Sequence, residues 1–130
     1  MENKLKKVLQ VYRTPLYFGW VLFIGLLTLI PGGVISGVDW NFLSIDKMIH
    51  FIMFLVLAFL GANFFININK PFTIFFAISA SLIIAVGYGS IIEYTQTFIP
   101  KRGFDYADLS ANIIGALAGL ATFYLYSIKK

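Results

Sequence analysis

The chain has no cysteine, one histidine and few charges: Asp, Glu, Lys and Arg make up 12% of its 130 residues. Without cysteine, a disulfide framework and any thiolate metal site are excluded. The charge content is about half that of an average soluble domain. What fills the sequence instead is Phe, Ile, Leu, Ala and Gly, with 59% of residues hydrophobic. A soluble core cannot hide that much apolar surface in so short a chain, so the expected solvent is lipid. The length suits one domain, residues 1–130, and not two. The net charge is +4. In a membrane protein such an excess marks cytoplasmic ends rather than a nucleic-acid surface, and no nucleic-acid partner is expected.

A helix needs about 20 apolar residues to cross a bilayer. Four uncharged or nearly uncharged stretches meet that length: Leu16 to Val38, Met48 to Asn69, Pro71 to Ile92 and Leu109 to Ile128. With their polar flanks they predict spans at 16–38, 46–69, 71–97 and 107–128. None shows the strict alternation of a barrel strand. The expected fold is therefore an all-α membrane protein, four transmembrane helices in a compact bundle. Basic residues precede the first stretch, but its apolar run is too long for a signal core, and it is expected to be a retained span.

Loop charges set the expected orientation. Lys4, Lys6, Lys7, Arg13, Lys70, Lys129 and Lys130 fall on one side, against Lys47, Lys101 and Arg102 on the other. The positive-inside bias then puts both termini in the cytoplasm and Asp39, Asp46, Asp105 and Asp108 outside. In residues 1–13, Leu5, Val8, Leu9 and Tyr12 recur at helical spacing. That segment is either an interfacial amphipathic helix or a frayed tail that signals topology. Tyr17, Trp20, Tyr124 and Tyr126 are placed to form an inner aromatic belt.

The scarce polar residues gather in two segments, DKMIHF at 46–51 and EYTQTFIPKRGFDYADLSAN at 93–112. On a helix Asp46 and His50 share a face, and Lys47 points about 100° away. Glu93 and Gln96 share a face at the end of the third span. Pro100 is expected to stop that helix, and Lys101, Arg102 and Gly103 to turn the chain into Asp105. Asp108, Asn112, Gly115 and Gly119 then form one stripe, polar at the outer end and small below. Its GALAG part lets two backbones approach closely, within one chain or between two in a homodimer.

Each residue also has a plain structural reading. Asp105 and Asp46 suit helix N-caps, and Asp108 suits the first turn by the helix dipole. Lys47 and Lys101 suit lipid headgroups, and Asn112 a packing hydrogen bond. Glu93 is harder to place, because an ionisable group in a span is costly. It is either one half of a structural pair with Arg102 or part of a site. Convergence of acid, base and cation types at one membrane face favours a site. Asp46 and His50 should then lie within reach of Glu93 or Arg102.

The same two segments resemble the VanZ-like family of small bacterial membrane proteins. The pattern is Asp-Lys-x-x-His-Phe at the start of one span, then Glu-x-x-Gln, then Pro-x-Arg-x-x-Asp-x-x-Asp-x-x-x-Asn-x-x-Gly. It falls on Asp46, Lys47, His50, Phe51, Glu93, Gln96, Pro100, Arg102, Asp105, Asp108, Asn112 and Gly115. The resemblance covers most of the chain from about Pro31 onward. It implies a multi-pass protein of the bacterial plasma membrane, linked to the cell envelope and to teicoplanin tolerance. It supplies no settled reaction.

From the residues, three functions compete. In the first, the site binds an outer-leaflet lipid phosphate or wall-precursor headgroup and hydrolyses or transfers it. His50, Glu93, Asp105 and Asp108 would be the catalytic set, and Asp46, Lys47, Gln96, Arg102 and Asn112 the binding set. In the second, the same groove binds a lipid-linked precursor or an envelope partner without turnover. In the third, the protein is a small transporter or flippase, which would need polar residues through the membrane depth. No cofactor is expected. A divalent metal on His50, Glu93, Asp105 and Asp108 is chemically open, but a lone histidine among carboxylates is a weak metal signal.

Overall fold

Helices that are apolar on every side choose their neighbours through small residues and polar atoms rather than through one hydrophobic stripe. The computed structural model of the chain describes residues 2–31, 43–66 and 72–129. They form α1 (Glu2–Val11), α2 (Arg13–Thr28), α3 (Leu43–Phe65), α4 (Phe72–Gln96) and α5 (Tyr106–Ile128). No strand occurs among the described residues. Helices α3, α4 and α5 are each long and apolar enough to cross a membrane. Helices α1 and α2 meet that test only as a pair, bent by 72° at Tyr12, so the spans number three, or four if the pair counts as one.

Helix ends fall within four residues of the expected spans except at α2, which ends at Thr28 and not at the expected Val38. Helix α2 begins at Arg13, so that residue belongs to the helix and not to a tail. Helix α3 starts at Leu43, which puts Asp46 in its first turn and not at its cap. Helix α4 ends at Gln96, before Pro100. Residues 97–99 wind on in tight turns, with backbone N–H groups of Thr97, Phe98 and Ile99 donating to carbonyls three residues back. The expected stretches 32–38, 67–69 and 71 lie outside the described residues, as do Asp39, Lys70 and Lys130.

Helices α3 and α5 form the closest pair, and they run parallel. Lys47 meets Asp108, His50 meets Asn112, Phe51 meets Gly115 and Leu55 meets Gly119. A Cβ added at Gly115 would strike the Phe51 carbonyl oxygen, and one at Gly119 the Leu55 carbonyl oxygen. The small stripe therefore packs within the chain and sets the height of α5 against α3. Helix α4 runs antiparallel to both, with Ser81 Oγ donating to Ala58 O at 2.8 Å.

Helix α2 is tied on by side chains that donate to helix carbonyls. Trp20 Nε1 reaches Met53 O at 2.9 Å, and Tyr88 OH reaches Val21 O at 2.6 Å. In lipid such bonds contribute about 0.6 kcal/mol each, so packing carries most of the association. The core runs through Ile24, Phe54, Leu57, Ala116 and Phe123, all buried. Tyr17 is buried too, its ring stacked on Phe64 at 5.2 Å. It is a core residue, and the expected aromatic belt loses it. Trp20 likewise turns its indole N–H into the bundle.

The two ends of the bundle differ in charge. At one end Asn63 Nδ2 donates to Leu9 O at 2.8 Å, Lys6 sits over the Tyr126 ring, and Arg13 lies beside Ile66. The start of α1 and the end of α5 thus share that end. The opposite end holds the α4–α5 turn and the first turns of α3 and α5.

Candidate functional site

Asp105 opens the site by capping α5. Its backbone is extended (φ −120°, ψ 113°), and its Oδ1 accepts from the Ala107 N–H at 2.7 Å. The turn before it needs one left-handed residue, which is Lys101 at φ 61°. The N-cap reading of Asp105 is thus met, but the side chain does more. Its Oδ2 lies 3.2 Å from Lys47 Nζ. Desolvation pushes the Asp105 carboxyl up, but the Ala107 N–H and the Lys47 ammonium outweigh it and hold the pKa below its ordinary value.

Lys47 is the cation at the centre of this end. Besides Asp105 it donates to Asp108 Oδ1 at 2.7 Å. This side chain, expected among the binding residues and about 100° from the Asp46–His50 face, is the pin between α3 and α5. The wheel on one helix gave its direction correctly. What it could not give is that α5 stands on that side.

His50 occupies the next layer inward and is buried. Its Nδ1 lies 2.9 Å from Asn112 Oδ1. An amide oxygen only accepts, so Nδ1 carries the hydrogen. Glu93 Oε1 stands 3.8 Å from the same nitrogen. On the other edge of the ring, Nε2 faces Asp46 Oδ1 at 3.8 Å and Asp108 Oδ2 at 3.9 Å. His50 thus reaches Glu93 as expected, while Asp46 lies on the opposite edge of the ring and within electrostatic range of Arg102.

Glu93 is fully buried on α4 behind the imidazole. Its Oε2 accepts from the Asp105 backbone N–H at 3.3 Å, which ties the cap of α5 to α4. Its Oε1 has no hydrogen-bond partner among the described residues, and neither has Asn112 Nδ2. Glu93 and Arg102 form no ion pair, so the structural pairing open in the sequence is not made. Arg102 is half-buried, and among the described residues no carboxylate lies within ion-pair distance of it. It is close enough to Asp46 to interact electrostatically.

Gln96 is buried, but it faces away from the histidine: its Nε2 donates to Thr28 O at 3.2 Å. It closes the end of α2 over the site. Thr28, whose Oγ1 bonds back to Ile24 O at 2.8 Å, was not legible as a neighbour of the site. A threonine at the end of an apolar run is the only trace it leaves in sequence. So the structure gathers Asp46, Lys47, His50, Glu93, Asp105, Asp108 and Asn112 in one contact network. Arg102 stands at its edge and Gln96 beside it.

The helices define a protein built for a bilayer, with a polar centre enclosed at one end of the bundle. The VanZ/LLP1 family model matches residues 6–127, nearly the whole chain. The protein belongs to the VanZ-like family. No curated protein and no solved structure shows significant similarity to it.

Proposed function

We propose that this VanZ-like protein sits in a bacterial plasma membrane with its polar centre on the outer face. There it would bind the anionic headgroup of a lipid phosphate or lipid-linked wall precursor. The orientation rests on charge. Lys4, Lys6, Lys7, Arg13 and Lys129 belong to one end of the bundle, which the positive-inside bias makes cytoplasmic. The site is at the other end.

One observation carries the binding reading: the half-buried Arg102 makes no ion pair among the described residues while a carboxylate cluster lies next to it. A guanidinium in that position matches a phosphate or carboxylate oxygen pair. Lys47, by contrast, is already held by Asp105 and Asp108 and is a structural cation.

Phosphoester hydrolysis or transfer is the reaction that this set supports best. The working atom is His50 Nε2, on the ring edge that faces Asp46 and Asp108. It either moves a proton or holds an electrophilic cation. Glu93 and Asn112 act from behind as positioning residues for the imidazole. The link to teicoplanin tolerance follows from the same reading, since glycopeptides act on lipid-linked wall precursors outside the membrane.

A transport path draws less support. Asn63 and Ser81 are buried away from the site, Thr122 is exposed on α5, and each side chain is bonded to a helix carbonyl.

The test is mass spectrometry of lipids bound to the purified protein, before and after incubation with phosphorylated polyprenyl lipids. A product formed by wild type and lost in His50→Ala and Glu93→Gln supports an enzyme. A bound lipid that stays unchanged in all three moves the function to binding without turnover.

A further inference from the structure

His50 Nε2 faces two carboxylates and makes no hydrogen bond among the described residues. The separations of 3.8 Å to Asp46 Oδ1 and 3.9 Å to Asp108 Oδ2 are too long for hydrogen bonds. They suit atoms that share a cation. Bonds of about 2.1 Å to a first-row divalent ion put its ligand atoms roughly 3 to 4.2 Å apart. One donor atom from each of Asp46, His50 and Asp108 lies within 4.8 Å of the others.

Two acids in proximity would carry no argument by themselves. The imidazole supplies the independent one. With Nδ1 bonded to Asn112, the buried ring turns its Nε2 edge between two carboxylates. No donor among the described residues reaches that nitrogen. A histidine whose second nitrogen is fixed by a carbonyl, with a carboxylate behind, is arranged as metal-binding histidines are. The charges agree. Asp46, Glu93 and Asp108 surround His50, Asp105 and Asp108 hold Lys47, and Arg102 stands at the edge, so the carboxylates outnumber the nearby lysine and arginine.

We propose that Asp46, His50 Nε2 and Asp108 form a binding site for a divalent cation of the Mn²⁺ or Zn²⁺ class. Two hard oxygens and one imidazole nitrogen fit that class better than Ca²⁺, which takes six or more oxygens. Three protein ligands leave positions open for an oxygen of an anionic ligand. The ligand set differs from the one open in the sequence. Glu93 stands on the Nδ1 side of the ring, and Asp105 is committed to its cap and to Lys47. The inference deepens the headgroup-binding reading, but the cation site can be tested without lipid or turnover.

The experiment is a titration of the full chain in detergent, stripped by chelator, with Mn²⁺ followed by its electron paramagnetic resonance. One Mn²⁺ per chain is expected, displaced by Zn²⁺. Asp46→Asn and His50→Ala should each weaken binding at least tenfold, with Lys101→Ala unchanged. Asp46 is a quarter exposed and its side chain makes no hydrogen bond among the described residues, so Asn should fold there. Pulsed spectra of wild type should show coupling to one imidazole nitrogen, a readout that needs no variant. No bound Mn²⁺ or Zn²⁺ at millimolar concentration, or no nitrogen coupling, overturns the site. Lipid turnover in a protein that binds no cation would overturn this inference and leave the enzyme reading standing. Bound cation without any lipid product would do the reverse.

Discussion

His50 Nδ1 and Asn112 Oδ1 lie 2.9 Å apart, and their bond joins α3 to α5 one turn inside the Lys47–Asp108 ion pair. It fixes which ring nitrogen is free. The consequence is a division of labour around one imidazole, with Glu93 and Asn112 on the Nδ1 side and Asp46 and Asp108 on the Nε2 side.

Asn112→Leu keeps the branched shape, adds some bulk and removes the acceptor. His50 then loses the bond that sets its tautomer. Losing an orienting partner of this kind typically costs tenfold to a hundredfold in affinity or rate. We expect that loss in lipid turnover or Mn²⁺ affinity, with thermal melts in detergent lowered by no more than about 1–3 kcal/mol. Turnover and Mn²⁺ affinity both at wild-type levels would show that the bond orients nothing.

The register of that bond is set elsewhere, by Gly115 against Phe51 and Gly119 against Leu55. Gly115→Ala must push α5 away from α3 by its backbone, and overpacking of this sort costs about 1–3 kcal/mol. Gly87→Ala, with nothing within 4 Å of the added carbon, should be neutral and serves as the control. Melting of the two variants side by side checks this. The Gly115 variant should also weaken the site, because Asn112 and Asp108 ride on the same helix.

This register explains what was and was not legible in the sequence. Helix periodicity placed Asp46 and His50 on one face, and Asp108, Asn112, Gly115 and Gly119 on another. Those calculations need only one helix at a time. The pairing of Lys47 with Asp108 depends on the height of α5 relative to α3, which no single-helix wheel contains. Gln96 shows the same limit: its face was right, but its partner is a carbonyl of α2. Tyr17 was misjudged because its ring reaches back into the core instead of toward the interface.

Asp105 makes a pH prediction. Its folded pKa is below the ordinary value, so its charge adds stability above that value. That contribution is fully present above the unfolded pKa, about 3.9, and is lost as pH falls through the lowered folded pKa. Asp105→Asn keeps a capping oxygen and removes the charge beside Lys47. The stability gap between wild type and Asp105→Asn should hold constant from pH 7 to about 5 and close below about 4. Asp105→Ala should lose the cap as well, a further cost of about 1 kcal/mol. Melts across pH in detergent would show it; a gap that widens in acid would mean the sign is wrong.

Arg102 and Lys47 differ in role, and two variants separate them. Lys47→Ala leaves Asp108 buried beside no cation, and breaking such a pair costs up to about 3–5 kcal/mol, less here because Lys47 is a quarter exposed. Arg102→Ala breaks no ion pair among the described residues and should leave stability within about 0.5 kcal/mol. Its effect should fall on the ligand. A phosphorylated polyprenyl lipid in mixed micelles should bind wild type more tightly than its unphosphorylated alcohol, and Arg102→Ala should erase that preference. Arg102→Lys should restore only part of it, since an ammonium keeps the charge but not the two-point grip. If Arg102→Ala instead unfolds the protein, the guanidinium is a structural group, and the headgroup must be held by Lys101 or not at all.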